Sequence, residues 1–189
     1  MSLDALREQP FDLLVELERL ARSVVSARNG GDEAGDEWVG IGFRLGKEHF
    51  VTGRGDVREV LPVPEPLTRV PGAKFWLRGI ANVRGQLLTL VDLRAFLGAG
   101  PSSPDRRNRI LVAASRDVPT GLIVDEVVGF RRLRLDDFRE EAPATVVRCD
   151  RYLEGGFVQG TEIWPRFSLL KLLEDEQFLN AGDSPRNHV

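Results

Sequence analysis

Residues 77–97 read LRGIANVRGQLLTLVDLRAFL, and the rest of the chain is predicted to be organised around this stretch. Two apolar runs rich in β-branched residues, Ile80–Val83 and Leu87–Val91, flank the polar pair Gly85-Gln86. This pattern is typical of two strands joined by a tight turn. Arg84 directly precedes the turn glycine, so it is expected at the tip of a hairpin. The stretch is therefore expected to expose one cationic side chain at the end of a rigid hairpin, and no catalytic group is exposed with it.

The second strand of this hairpin leads directly into Asp92. Aspartate is a preferred cap because its carboxylate accepts hydrogen bonds from the free N–H groups of a first helical turn. Leu93–Leu97 is therefore predicted to form a short helix, which Gly98 ends.

The remainder of the chain is mainly predicted to form short strands. Apolar and other residues alternate from Trp38 to Leu45, and a turn leads to His49–Thr52, which predicts a second hairpin. Further strands are predicted at Val57–Leu61, Arg109–Ala114, Thr120–Val124, Val127–Arg131, Tyr152–Val158 and Glu162–Pro165. About nine or ten short strands with few helices favour small barrels or a sandwich over a parallel α/β sheet.

The chain divides into four predicted parts. Residues 1–28 carry an amphipathic helix whose apolar stripe covers either its own domain or a partner, and packing on its own domain is the prediction. Residues 29–37 (NGGDEAGDE) are a flexible acidic linker. Residues 38–180 form the domain, in which Ser168 caps a terminal helix. Residues 181–189 are a polar tail.

Composition limits the classes of function. The chain has 189 residues, 42% of them apolar, which is enough for a sizeable core. Its net charge of -3, spread over mixed charges, creates no bulk field toward nucleic acid or an anionic membrane. The single cysteine, Cys149, excludes an intrachain disulfide and a thiolate zinc site. Because no secretory signal or membrane-spanning run is present, a cytoplasmic location without membrane insertion is expected.

Chemistry-bearing residues are scattered along the chain. His49 and His188 have no partner at metal-ligand spacing, and no glycine-rich loop leads into a helix as phosphate binding requires. The acidic residues Asp136 and Glu140 lie on a predicted surface turn, and they leave a hydrolase open only as a minor alternative. The sequence therefore predicts no enzyme, no catalytic residues, no metal and no cofactor.

Two arginine clusters, residues 106–109 and 131–134, leave a second alternative open. A nucleic-acid-binding β-barrel could use them to contact phosphates. Aromatic residues do not interleave with them and acidic residues follow closely, so a solvated face is favoured and no nucleic acid is expected.

A series of short sequence motifs, in this order, resembles the CheW family of bacterial chemosensory coupling proteins. The motifs are FRLG (43–46), VREV (57–60), TRVP (68–71), LRGIANVRG (77–85) and LVDLR (90–94), followed by GLIVDEV (121–127) and YLEG (152–155). The resemblance covers about residues 38–175. The motifs PFDLL (10–14) and FLNA (178–181) look more like the PilI-type branch, which serves type IV pilus twitching systems.

This resemblance implies a mostly β fold with two five-stranded SH3-like barrels packed around a shared apolar core, and with N-terminal and C-terminal helices. It implies a non-enzymatic scaffold that links the cytoplasmic tip of methyl-accepting chemoreceptors to the regulatory domain of a CheA-type histidine kinase. Such a protein would be recruited to receptor arrays at the inner membrane.

The resemblance also implies which residues bind partners. Carried over by position, they are Val57, Glu59, Gly79, Arg84 and Gly85. An arginine on a glycine-stiffened turn loses little entropy when it pairs with a carboxylate, which agrees with that role. The alternative for Arg84 is an internal pair with Glu59 or Asp92. The run Thr52–Gly55 departs from the apolar strand usual in the family, so the edge before Val57 is expected to be bent or more polar.

Overall fold

The computed structural model describes residues 37–115 and 118–182 of the chain. The described residues form two β-sheets and three short α-helices. The strands are β1 (Glu37–Leu45), β2 (Glu48–Gly53), β3 (Val57–Pro62), β4 (Leu77–Val83), β5 (Gln86–Asp92), β6 (Arg109–Ala113), β7 (Thr120–Val124), β8 (Glu126–Arg134), β9 (Phe138–Arg139), β10 (Leu153–Gln159) and β11 (Glu162–Phe167). The helices are α1 (Leu93–Phe96), α2 (Leu169–Leu173) and α3 (Glu176–Leu179).

The first sheet joins the two ends of the domain. Its order is β8-β1-β2-β11-β10-β9. β1 pairs antiparallel with both β2 and β8, whereas β2 and β11 pair in parallel where Val51 lies opposite Arg166. The first and last hairpins of the domain therefore share one sheet, so neither forms a separate unit.

The second sheet contains the β4–β5 hairpin that residues 77–97 predict. Its order is β3-β6-β7-β5-β4, with β5 and β7 parallel and every other pair antiparallel. β3 and β4 are its two edge strands. Between β2 and β3 the chain turns through a 3₁₀ helix at Arg54–Asp56, which agrees with the predicted bend before Val57.

One apolar core lies between the two sheets. Phe43 and Phe50 of the first sheet and Leu111 and Leu122 of the second are fully buried in the same cluster, together with Leu172 of α2. Each such side chain contributes roughly 1.5–3 kcal/mol when it leaves water. The predicted shared core is confirmed.

Both predicted helix caps are present. The Asp92 carboxylate accepts a hydrogen bond from the Ala95 N–H at 3.1 Å, and the Ser168 hydroxyl accepts one from the Lys171 N–H at 3.4 Å. The terminal helix is divided, because Asp175 accepts from the Gln177 N–H at 2.7 Å and begins α3.

The mostly β fold is confirmed, with one difference in its details. The first sheet has six strands because the two-residue strand β9 adds to its edge, and neither sheet closes into a ring of backbone hydrogen bonds within the described residues. The predicted N-terminal helix lies outside the described residues. None of the described helices has the length and apolarity that crossing a membrane requires.

Candidate functional site

The β4–β5 turn holds Arg84 in an unusual backbone conformation. Arg84 has φ of 50° and Gly85 has φ of 83°, the pair of positive values that defines a type I′ hairpin turn. The Gly85 N–H donates to the Asn82 side-chain oxygen at 2.9 Å, which stabilises the turn. A side chain in this region costs about 1–2 kcal/mol compared with glycine. The chain thus displays an arginine where asparagine or glycine would be the relaxed choice.

Arg84 also forms an ion pair with Glu59. Its Nη1 atom lies 2.8 Å from Glu59 Oε2, and the Arg84 side chain is still 74% exposed. The pair connects the hairpin tip to β3, at opposite edges of the second sheet. Of the two internal partners considered from the sequence, Glu59 is therefore the one found. An exposed pair contributes about 0–1 kcal/mol, so the arginine stays available to a second anion at little cost.

Val57 and Glu59 line an open groove between β3 and β8. The groove has a volume of about 530 Å³, and its walls also include Ile41, Val127 and Phe130. Val57 is only 7% exposed, whereas the Phe130 side chain opposite is 68% exposed. Apolar side chains of a helix can bury against these walls, and Arg84 lies beside Glu59 at the rim.

Gly79 lies against the backbone of the segment that precedes β4. It is buried, with φ of 144°, and an added Cβ would lie 2.5 Å from the Thr68 carbonyl oxygen. Thr68 and Ile80 exchange two backbone hydrogen bonds at 3.0 and 2.8 Å beside it. Gly79 therefore permits a close backbone contact that supports the hairpin. Its place in a binding surface stays a prediction.

Asp92 is the buried support of the same hairpin. Its carboxylate is fully buried and accepts from the Ser102 N–H and the Ser102 hydroxyl, both at 2.9 Å, as well as from Ala95. Arg78 Nη1 lies 3.4 Å from it. One side chain thus ties together the end of β5, the start of α1 and the following loop.

Most arginines of the two clusters interact with other groups of the same chain. Arg107 pairs with Asp105 at 2.8 Å, and this hydrogen-bonded pair lowers the pKa of Asp105 to about 2. Arg131 stacks over the Trp164 ring at 4.6 Å. The two clusters lie on different sheets, one in the loop before β6 and the other on β8, so they do not form one continuous element.

The other candidate chemical groups are dispersed. Asp136 is 70% exposed and pairs with Arg134 at 3.1 Å, and His49 packs against Trp164 with ring centroids 5.3 Å apart. Across residues 37–115 and 118–182, no three histidine, cysteine, aspartate or glutamate side chains come together as a metal site requires.

Cys149 is expected to react slowly in the folded protein. Burial raises the pKa of its thiol from 9.0 to about 11, so roughly 100-fold less thiolate is present at a given pH. Iodoacetamide at pH 8 should label the native protein at least tenfold more slowly than the protein in urea, as followed by intact mass. Equal labelling rates in the two states would contradict this expectation.

Comparison with known protein families decides the family of this chain. Residues 39–177 match the CheW-like domain family. The chain belongs to the CheW-like family. It is 39% identical to Protein PilI of Pseudomonas aeruginosa over 175 residues, which covers 93% of this chain and 97% of that protein. It is also 23% identical to the chemotaxis protein CheW of Klebsiella aerogenes, covering 84% of this chain and 93% of that protein.

A solved structure supports the CheW-like fold. The crystal structure of the scaffolding protein TtCheW from Thermoanaerobacter tengcongensis aligns with a TM-score of 0.61 at 24% identity, over 69% of this chain and 84% of that one. The family predicted from the ordered sequence motifs is confirmed, as is the similarity to PilI. The sequence left open whether Arg84 pairs internally with Glu59 or Asp92, because local patterns do not show which distant side chains meet, and the structure shows the pair with Glu59.

Proposed function

We propose that this CheW-like protein couples chemoreceptors to a CheA-type histidine kinase in a chemosensory pathway that controls type IV pilus twitching motility. It acts as a non-enzymatic scaffold in the cytoplasm and is recruited to receptor arrays at the inner membrane. The whole-length similarity to PilI supports this proposal most strongly, because it spans 93% of the chain.

The site chemistry fits a receptor made of helices. The groove between β3 and β8 would take the apolar side chains of a receptor helix, while Arg84 would pair with a receptor carboxylate or with the carbonyl groups of a helix end. Val57, Glu59, Arg84 and Gly85 would then act as one partner-binding patch, and Gly79 would support the hairpin that presents it. The regulatory domain of the kinase would bind elsewhere on the same rigid scaffold.

Charge reversal at Arg84 tests the patch. Arg84→Glu is expected to weaken binding to a purified receptor cytoplasmic tip by at least about tenfold, because it removes one partner of an interfacial charge pair. The thermal midpoint should stay within roughly 3 °C of the wild type, since an exposed ion pair contributes little. Pull-down and differential scanning calorimetry measure the two effects.

Two further variants separate partner contact from internal pairing. The charge swap Glu59→Arg with Arg84→Glu restores the internal pair but not a cation at the hairpin tip, so binding should remain weak. Arg132→Glu is the matched control, since its side chain is 78% exposed on β8 and only loosely paired with Glu37 at 3.9 Å. Full binding by a folded Arg84→Glu protein, or its recovery in the swap, would contradict a direct role of Arg84.

Arg84→Asn tests whether the arginine is kept at a cost to stability. Asparagine tolerates positive φ, and Asn-Gly is a favoured type I′ pair, so relief of about 1 kcal/mol should equal or exceed the lost ion pair. The thermal midpoint is expected to be unchanged or slightly raised while receptor binding falls. A clear loss of stability would show that the pair with Glu59 matters more than the turn strain.

A further inference from the structure

A second and larger groove lies at the opposite end of the β4–β5 hairpin. It has a volume of about 980 Å³ and lies between the segment that follows β3 and the loop that precedes β6. Its lining includes the apolar side chains Pro62, Leu67, Pro104 and Ile123. Its size is at the upper end of the range of ligand pockets, and its prolines make the walls stiff.

Three arginines surround this apolar lining, and two of them have no counter-charge among the described residues. Arg69 and Arg106 are exposed, and within residues 37–115 and 118–182 neither side chain forms an ion pair or a hydrogen bond. Arg78 is only loosely paired, since Asp92 lies 3.4 Å away and is already accepting three hydrogen bonds.

The acidic residues at the rim compensate only part of this charge. Asp105 is engaged by Arg107 at 2.8 Å, and Glu65 is the other acidic residue of the lining. The groove therefore combines an apolar floor with a local excess of positive charge.

We propose that this groove binds an extended peptide segment of a partner protein that carries a carboxylate between apolar side chains. The carboxylate would pair with Arg69 and Arg106, and the apolar side chains would cover Leu67 and Ile123. Arginine suits this task because its planar guanidinium presents several donors to one carboxylate. A stiff proline-lined wall also lowers the entropy cost of binding an extended chain.

The lining favours a peptide over a nucleic acid. Single-stranded nucleic acids rely on aromatic side chains for base stacking, and the lining contains no aromatic side chain among the described residues. Glu65 and Asp105 at the rim would repel a phosphate backbone. A peptide with only one or two carboxylates meets neither obstacle.

This groove is distinct from the patch around Arg84. Arg78 lies at the start of β4 and Arg84 just beyond its end, so the two are about 20 Å apart at roughly 3.3 Å per residue. A coupling protein with both surfaces could hold a receptor at one end of the hairpin and a flexible acidic segment of another array component at the other end.

A fluorescent peptide of two Glu-Leu-Pro units tests the proposal on the full chain, with the matching peptide of two Gln-Leu-Pro units as the neutral probe. By fluorescence anisotropy at low salt, the acidic peptide should bind at least about tenfold more tightly than the neutral one. The double variant Arg69→Glu with Arg106→Glu should abolish this difference without lowering the thermal midpoint. Arg132→Glu, which changes an exposed arginine outside the groove, should leave it unchanged.

Four results would overturn the proposal. These are equal binding of the two peptides, unchanged binding by the double variant, tighter binding of single-stranded oligothymidylate at the same arginines, or dimerisation of the chain that the double variant abolishes. Because Arg84 is not involved, loss of receptor binding in Arg84→Glu and loss of peptide binding in the double variant can succeed or fail independently.

Discussion

Asp92→Ala is expected to lower the free energy of unfolding by about 3–4 kcal/mol, which corresponds to a fall in the thermal midpoint of roughly 6–16 °C for a domain of this size. The substitution removes a helix cap, which costs about 1 kcal/mol alone. It also leaves the Ser102 N–H and hydroxyl without their acceptor in a fully buried site, where water cannot replace it. Urea unfolding followed by tryptophan fluorescence measures the effect.

Two variants define the cause of this loss. Asp92→Asn keeps one acceptor oxygen and should cost less, because only part of the hydrogen-bond set is broken. Asp136→Ala removes a carboxylate that also pairs with an arginine but is 70% exposed, and it should leave the midpoint unchanged. If Asp92→Ala were as stable as Asp136→Ala, Asp92 could not be the residue that holds the hairpin, α1 and the following loop together.

Gly79→Ala is expected to destabilise the protein by about 2–4 kcal/mol. Its φ of 144° is a conformation that side chains rarely adopt, and the added Cβ would lie 2.5 Å from the Thr68 carbonyl oxygen. Because the obstacle is backbone held by two hydrogen bonds to Ile80, it cannot move without breaking the Thr68–Ile80 pair. Thermal unfolding measures the loss, and hydrogen exchange at Ile80 locates it.

Gly85→Ala is the matched control for this prediction. Gly85 also has positive φ, at 83°, but an added Cβ would meet no atom within 4 Å, so only the backbone strain of about 1 kcal/mol is expected. A binding measurement with Gly79→Ala tests whether Gly79 only supports the hairpin of the proposed receptor site. In that case binding should fall only in proportion to the fraction of protein that is unfolded. A direct contact at Gly79 would weaken binding in the folded fraction as well.

Asp92, Gly79 and Arg84 have two different roles in the hairpin, support of its backbone and exposure of a charge. Asp92 and Gly79 are buried and hold β4, β5 and α1 in place, so their variants should report on stability. Arg84 is exposed at the tip, so its variants should report on binding. A binding surface depends on this division, because an exposed charge is specific only when its backbone does not move.

Several features of the fold were predictable because they depend on neighbouring residues. The turn at Arg84-Gly85 follows from a glycine between two apolar runs, and the caps at Asp92 and Ser168 follow from residue types placed directly before apolar helices. The alternation from Trp38 to Leu45 indicated β1 in the same way. The parallel pairing of β5 with β7, and of β2 with β11, was not predictable, because strands distant in sequence are matched by the burial of many side chains together.

Local residue patterns were enough to predict the β4–β5 hairpin, its capped helix and the exposed Arg84, and a series of ordered motifs was enough to predict the CheW-like family. Three contacts follow from the folded chain alone: Glu59 meets Arg84 at 2.8 Å, Gly79 lies against Thr68, and Arg69 and Arg106 border one groove. Turns and caps are set within a few residues by backbone sterics and nearby hydrogen bonds. Contacts across a sheet depend on how the whole chain buries its apolar surface, and local sequence spacing does not record this.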